Sequence, residues 1–223
     1  MTRDVVLKDS PGGLALRATV ERWLSLRAYG WVTSTLFRAN STPAELRRRF
    51  ERFGAVSRAA LGAKYPDLAF EDHRIGSLHV ETCRTGASPA RVVIHLRGGA
   101  YVFGSPASYR NRAMRLAYRL GAEVFVPDHR LAPEHPFPAA LENAVVTYQT
   151  VRALRPRAPI LVTGDSAGGG LTAALLVRLR ELGEPQPEGA ILLSPWTDLS
   201  SSGASIDENR DKDRWFTRAH LER

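Results

Sequence analysis

The sequence has 223 residues, 43% apolar and 24% charged, which suits one well-buried domain with a modest appendage and excludes a fibre or a disordered chain. The formal net charge is +8, yet lysine supplies only three of the 31 basic residues and the arginines are scattered, Arg47-Arg48-Arg49 being the densest run. With no RNA-binding signature or zinc-finger spacing beside it, that charge reads as arginine-rich composition, and no nucleic-acid partner is expected.

The single cysteine, Cys83, rules out an internal disulfide and fits a reducing compartment. No apolar run reaches the roughly 18 residues of a membrane span, so no membrane-spanning segment is expected. The first residues lead into no signal-peptide core. The expectation is a soluble, cytoplasmic protein.

In chain order, the first 65 residues read as helical. Leu16, Val20, Trp23 and Leu24 keep helical spacing, and the pattern continues to Trp31. Thr42-Pro43-Ala44-Glu45 is a capping-box start with proline at the first helical position. An apolar stripe of Leu46, Phe50, Phe53, Val56 and Leu61 follows. From residue 68 short apolar runs alternate with helical stretches. Residues 68–73 and 78–82 predict two strands joined through Ile75-Gly76-Ser77. Residues 91–96, 123–127, 160–163 and 189–193 predict buried strands. Helices are predicted around 114–120, over 139–154, and over 166–182 with Gly183 as the stop. Strands alternating with helices in this way predict an α/β fold, a mainly parallel sheet with helices on both faces.

The chemistry-bearing segment is Thr163-Gly164-Asp165-Ser166-Ala167-Gly168-Gly169, a strand running through Gly-x-Ser-x-Gly straight into a helix. This is a nucleophile elbow in its predicted context. The turn is so tight that positions two before and two after the serine must be small, and Gly164 and Gly168 meet that need. Ser166 then stands clear of the sheet at a helix N-terminus, where free N–H groups favour developing negative charge. No Gly-Lys-Ser/Thr ending is present, which argues against a phosphate loop. A second segment, His95-Leu96-Arg97-Gly98-Gly99-Ala100-Tyr101, ends a strand with consecutive small residues. Such a loop can turn backbone N–H groups toward a tetrahedral oxyanion. A third, Asp128-His129-Arg130-Leu131-Ala132-Pro133-Glu134-His135-Pro136-Phe137-Pro138-Ala139, predicts a rigid loop over one end of the sheet.

Together with Ser194-Pro195-Trp196-Thr197-Asp198, these segments resemble the hormone-sensitive-lipase family of α/β-hydrolases, which includes bacterial carboxylesterases. The resemblance covers roughly residues 91–198. It implies an α/β-hydrolase core over residues 66–223 and an N-terminal helical cap over residues 1–65. It implies hydrolysis of small carboxylic esters through an acyl-enzyme on Ser166, with an oxyanion hole of Gly99, Ala100 and Ala167. It calls for no metal and no organic cofactor.

Two departures from the family pattern stand out. Arg97 occupies the position where the family carries the histidine that braces the oxyanion loop, and His95, two places earlier, is expected to point the same way. The family order of Ser, then Asp, then His, each after a later strand, also finds no match. After the elbow come only Asp198, Asp207, Asp211, Asp213 and His220. None of them follows a strand in the required way, and His129 is no better placed. The resemblance therefore reads as C-terminally truncated. Activity is expected to be impaired, with a non-catalytic ligand-binding protein or a basic interaction protein as the alternatives. The strand at 189–193 is expected to be an exposed edge through which the chain aggregates or forms a homodimer.

Overall fold

The computed structural model of the chain describes residues 41–87, 89–213 and Arg218. The helical pattern at Leu16, Val20, Trp23, Leu24 and Trp31 lies outside those residues, as do Trp215, Phe216 and His220.

Helix α1 (Pro43–Gly54) begins as its sequence requires. Thr42 accepts from the Glu45 N–H, and Glu45 reaches back to the Thr42 N–H. The apolar stripe that follows falls on two helices, because Ser57 caps a new one, α2 (Arg58–Lys64), by accepting from Ala60. Two strands, β1 (Leu68–Ile75) and β2 (Leu78–Thr85), form an antiparallel hairpin that turns at Gly76, where φ is +60°. Both run two or three residues past the expected ends.

The remaining core alternates strand and helix: β3 (Arg91–Leu96), α3 (Pro106–Leu120), β4 (Ala122–Pro127), α4 (Ala139–Leu154), β5 (Ile160–Asp165), α5 (Ala167–Glu181) and β6 (Gly189–Leu193). The sheet order is β1-β2-β4-β3-β5-β6. Strands β4, β3, β5 and β6 are mutually parallel, and β2 pairs antiparallel with β4.

The alternation of β3 sorts its side chains between two cores. Val92, Ile94 and Leu96 pack with Tyr148 and Val151 of α4 and with Leu171, Leu175 and Leu179 of α5. Val93 faces the other way, toward Ala113, Met114 and Ala117 of α3 and Leu61 of α2. The chain leaves β3 toward β4 on one side, while β5 lies on the other side and leads to β6 beyond it. The strand order thus reverses between β3 and β5. Loops at the carboxyl ends of two such strands diverge and leave a crevice, the usual place for a site in an open α/β sheet. Those loops carry the residues singled out above.

Among the described strands, β6 lies at one end of the sheet. Its Ile191 and Leu193 are 48% and 47% exposed. Residues Thr42–Leu199 form one compact unit, and the described residues from Ser200 onward belong to a second. In the latter, α6 (Ser205–Glu208) is a single turn, and Arg218 pairs with Asp207 at 2.8 Å. No described helix is long and apolar enough to cross a membrane.

Candidate active site

Ser166 sits where β5 turns into α5, with φ 53° and ψ −123°, a conformation a serine adopts only under constraint. The constraint is visible on every side. The Ser166 N–H donates to the Leu193 carbonyl at 3.0 Å, and its own carbonyl accepts from Gly170 and from Trp196. A Cβ at Gly164 would stand 2.1 Å from the Gly168 carbonyl oxygen, and one at Gly168 would stand 2.1 Å from the Leu96 carbonyl oxygen. The two small residues are thus required by backbone-to-backbone contact. The second contact presses the start of α5 against the end of β3, which brings the elbow beside the 97–104 loop.

That loop is itself strained. Gly99, Ala100 and Tyr101 follow one another at φ 123°, 51° and 60°. The Gly99 carbonyl accepts from Val102 and Phe103, closing a tight turn. The Gly99 and Ala100 N–H groups donate to no partner among the described residues. Ala167 opens α5, so its N–H has no intrahelical acceptor. The Gly99, Ala100 and Ala167 N–H groups thus lie on the two loops that the Gly168 contact holds together.

Arg97 is fully buried at the base of the loop. Its guanidinium donates to the Phe103 carbonyl at 3.2 Å, to Asp128 Oδ1 at 2.8 Å and to the His129 carbonyl at 2.9 Å. Burial lowers its pKa, an effect Asp128 opposes. The arginine thus ties both ends of the loop to the close of β4. His95 does not share that work. Its Nδ1 is 2.7 Å from Thr163 Oγ1, and its Nε2 lies 3.6 Å from Asp165 Oδ1, on the α3 side of the sheet. His129 is buried, with its Nδ1 unpartnered.

The segment after β4 is held as the sequence predicted for a rigid loop. Ala132 N–H donates to the Tyr101 carbonyl at 2.9 Å, and Arg130 is bound by Asn143 and Glu142 of α4. Sequence reasoning missed Arg47. From α1 it donates to the Val102 carbonyl, to the Ala132 carbonyl and, in a forked pair, to Glu134. Phe50, one turn on, stacks on Phe103 with ring centroids 4.8 Å apart. Helix α1 thus clamps the oxyanion loop to the 128–139 loop. The only signal was a basic run that composition alone does not distinguish from a solvated helix face.

Asp165 turns away from Ser166. Tyr109 Oη donates to its Oδ2 at 3.1 Å, and Arg112 Nη1 is 3.7 Å from its Oδ1. Ser166 Oγ makes no hydrogen bond among the described residues. Asp207 is engaged by Arg218, and His220 is outside the described residues. No cluster of metal-ligating side chains occurs among the described residues.

Two outcomes follow from this geometry. Gly168→Ala must move backbone at both the elbow and β3, so it is expected to cost at least about 4 kcal/mol in urea unfolding. Gly183→Ala, with φ 68° and nothing within 4 Å of the new Cβ, is expected to cost about 1 kcal/mol. Burial, helped by Arg112, holds the His95 pKa down at about 3, and burial holds that of His129 well below the usual value. Both rings are neutral in the fold and protonate on unfolding at mild acid. Stability is thus intact above about pH 6.5 and falls as pH drops toward about 3, each histidine adding a slope of about 1.4 kcal/mol per pH unit. His95→Gln should remove its share of that slope and leave the part due to His129.

The comparisons agree with this architecture. A family described as alpha/beta hydrolase fold matches residues 93–223. An acetyl-hydrolase of Streptomyces hygroscopicus is 37% identical over 150 residues, which are 67% of this chain and 50% of that protein. An esterase of Acinetobacter venetianus is 34% identical over 150 residues, 66% of this chain and 49% of that protein. The mouse hormone-sensitive lipase is 33% identical over 120 residues, 51% of this chain and 16% of that protein. Among solved structures, an esterase from the bacterial hormone-sensitive lipase family superposes with TM-score 0.74 at 33% identity, covering 87% of this chain and 65% of that one. The chain spans about half the length of the curated relatives it matches. With its elbow, its small-residue loop and its switch-point sheet, the chain belongs to the alpha/beta hydrolase fold family, and the relatives it is similar to include esterases of the hormone-sensitive-lipase type.

Proposed function

We propose that the chain is a carboxylic ester hydrolase whose nucleophile is Ser166 and whose oxyanion hole is formed by the N–H groups of Gly99, Ala100 and Ala167. One observation carries the reading. A strained serine at a helix N-terminus is held beside a loop that presents unpaired N–H groups, and one backbone contact between Gly168 and Leu96 joins the two. The related acetyl-hydrolase, esterases and lipase support the reaction class.

In the reaction, Ser166 Oγ adds to the ester carbonyl carbon, and the carbonyl oxygen takes the negative charge. The three N–H groups meet that charge, and each donor is worth about 3–4 kcal/mol of barrier. The C–O bond to the alcohol then breaks, leaving an acyl group on Ser166. Water attacks the acyl carbon, releases the acid and restores the serine. Small, uncharged esters are the proposed substrates.

Among the described residues no histidine bonds Ser166, so proton transfer is the step that limits the proposed activity. Ser166 must lose its proton and the leaving alkoxide must gain one, normally through a histidine oriented by a carboxylate. His95 and His129 are buried and neutral, and neither bonds Ser166. Where no base reaches the serine, the oxyanion hole and substrate binding alone give about 10³–10⁴-fold over water. Turnover of p-nitrophenyl butyrate by the purified chain is expected to be slow but clearly above that of Ser166→Ala. Equal rates from the two folded proteins would overturn the assignment and favour a ligand-binding protein. Turnover at the level of an intact triad would show that a base does serve Ser166.

A further inference from the structure

The Gly99 carbonyl is a point of convergence in the loop after β3. It accepts from the Val102 N–H at 2.9 Å and from the Phe103 N–H at 3.0 Å. The Phe103 N–H shares a peptide unit with the Val102 carbonyl, and that carbonyl accepts from Arg47 Nε–H at 2.8 Å. The Gly99 carbonyl in turn shares a peptide unit with the Ala100 N–H, one of the proposed oxyanion donors. Both peptide bonds are trans, so in each the C=O and the N–H point opposite ways. Arg47, the 102–103 peptide and the 99–100 peptide therefore form one head-to-tail chain of hydrogen bonds. A cation stands at one end and the Ala100 N–H at the other.

A second chain joins at the same carbonyl. The His135 N–H donates to Leu131, the Ala132 N–H to Tyr101 and the Val102 N–H to Gly99, each at 2.9 Å. Each link again enters a peptide at its carbonyl and leaves at its N–H. Both chains end on the Ala100 N–H, and the first begins at a charge. Away from water, each bond of such a chain strengthens the next by about 10–30%. A donor polarised in this way gains more against a full oxyanion than against the resting ester carbonyl, so the gain falls on the barrier.

The helix holds Arg47 in register with the loop. Positions 47, 50, 51 and 54 share one face of α1. In that order they meet the chain between Val102 and Ser108. Arg47 bonds Val102, and the Phe50 ring packs on that of Phe103. Glu51 accepts from Ser105 Oγ at 2.9 Å, and a Cβ at Gly54 would stand 3.2 Å from Ser108 Cβ. Glu134 takes the two terminal nitrogens of the Arg47 guanidinium, one of which also reaches the Ala132 carbonyl. Nε is left to Val102.

We infer, on the ester-hydrolase reading above, that Arg47 is a positioning residue for the oxyanion hole, holding and polarising the Ala100 N–H through the 102–103 and 99–100 peptides.

The test compares the full chain with Arg47→Met, Arg47→Lys and Glu134→Gln. Both replacements of Arg47 keep a straight stem on α1, so the chain remains folded. In hydrolysis of p-nitrophenyl butyrate, Arg47→Met is expected to lower kcat about fivefold at unchanged KM. Arg47→Lys keeps the charge and should recover most of that loss. Glu134→Gln removes only an exposed ion pair and should stay within about twofold of the parent. In the amide NMR spectrum, Arg47→Met should move the Phe103 and Ala100 N–H signals upfield, although neither N–H bonds Arg47. A parent rate no higher than that of Ser166→Ala would remove the ester-hydrolase reading, and this inference with it. With the parent above that control, an unchanged kcat in Arg47→Met, a change in KM alone, a lysine variant no better than the methionine variant, or an unmoved Ala100 signal would overturn the inference and leave the reading standing.

Discussion

The contact between Gly168 and the Leu96 carbonyl is the constraint on which the rest of the site depends. A Cβ at Gly168 would stand 2.1 Å from that oxygen, so the first turn of α5 can approach the end of β3 only as glycine. The approach places the helix N-terminus, with its unpaired N–H groups, next to the loop that leaves β3. It also fixes the angle at which β5 turns, which forces Ser166 to φ 53°. Strain of this kind costs on the order of 1–3 kcal/mol and persists only where the surroundings over-determine it. Here the bonds from Ser166 to Leu193, Gly170 and Trp196 supply that over-determination.

The second structural demand is to hold a loop with three successive positive φ values. The sequence resemblance calls for a histidine where this chain has Arg97. The arginine is buried and reaches farther, bonding the Phe103 carbonyl on one side and Asp128 with the His129 carbonyl on the other. A buried guanidinium is costly to desolvate, and its charge-assisted bonds must offset that cost. Arg47 adds an outer clamp from α1 across the 97–104 and 128–139 loops. The departure at Arg97 therefore leaves the loop braced, by a different set of bonds.

Much of this was legible in the sequence because it is encoded locally. Gly164-Asp165-Ser166-Ala167-Gly168 after a β-rich run and before a helical one can fold in few ways other than an elbow. Thr42 with Glu45 announced a helix start, and the apolar run 189–193 announced a strand. What was hidden depends on convergence over long separations. Arg47 meets Val102 across 55 positions and Ala132 across 85. The His95, Asp165, Tyr109 and Arg112 cluster joins two strands and a helix, and no spacing rule marks it.

The account's central claim is that the fold alone, through the Gly168 contact and the paired loops, singles out Ser166 among the described serines. The direct measurement is peptide mapping by mass spectrometry after prolonged reaction of the folded chain with a fluorophosphonate. The account predicts slow labelling at Ser166, where the proposed oxyanion N–H groups and a helix N-terminus would stabilise the phosphorylated adduct. Labels spread over several serines, or none on Ser166 in folded protein, would contradict it.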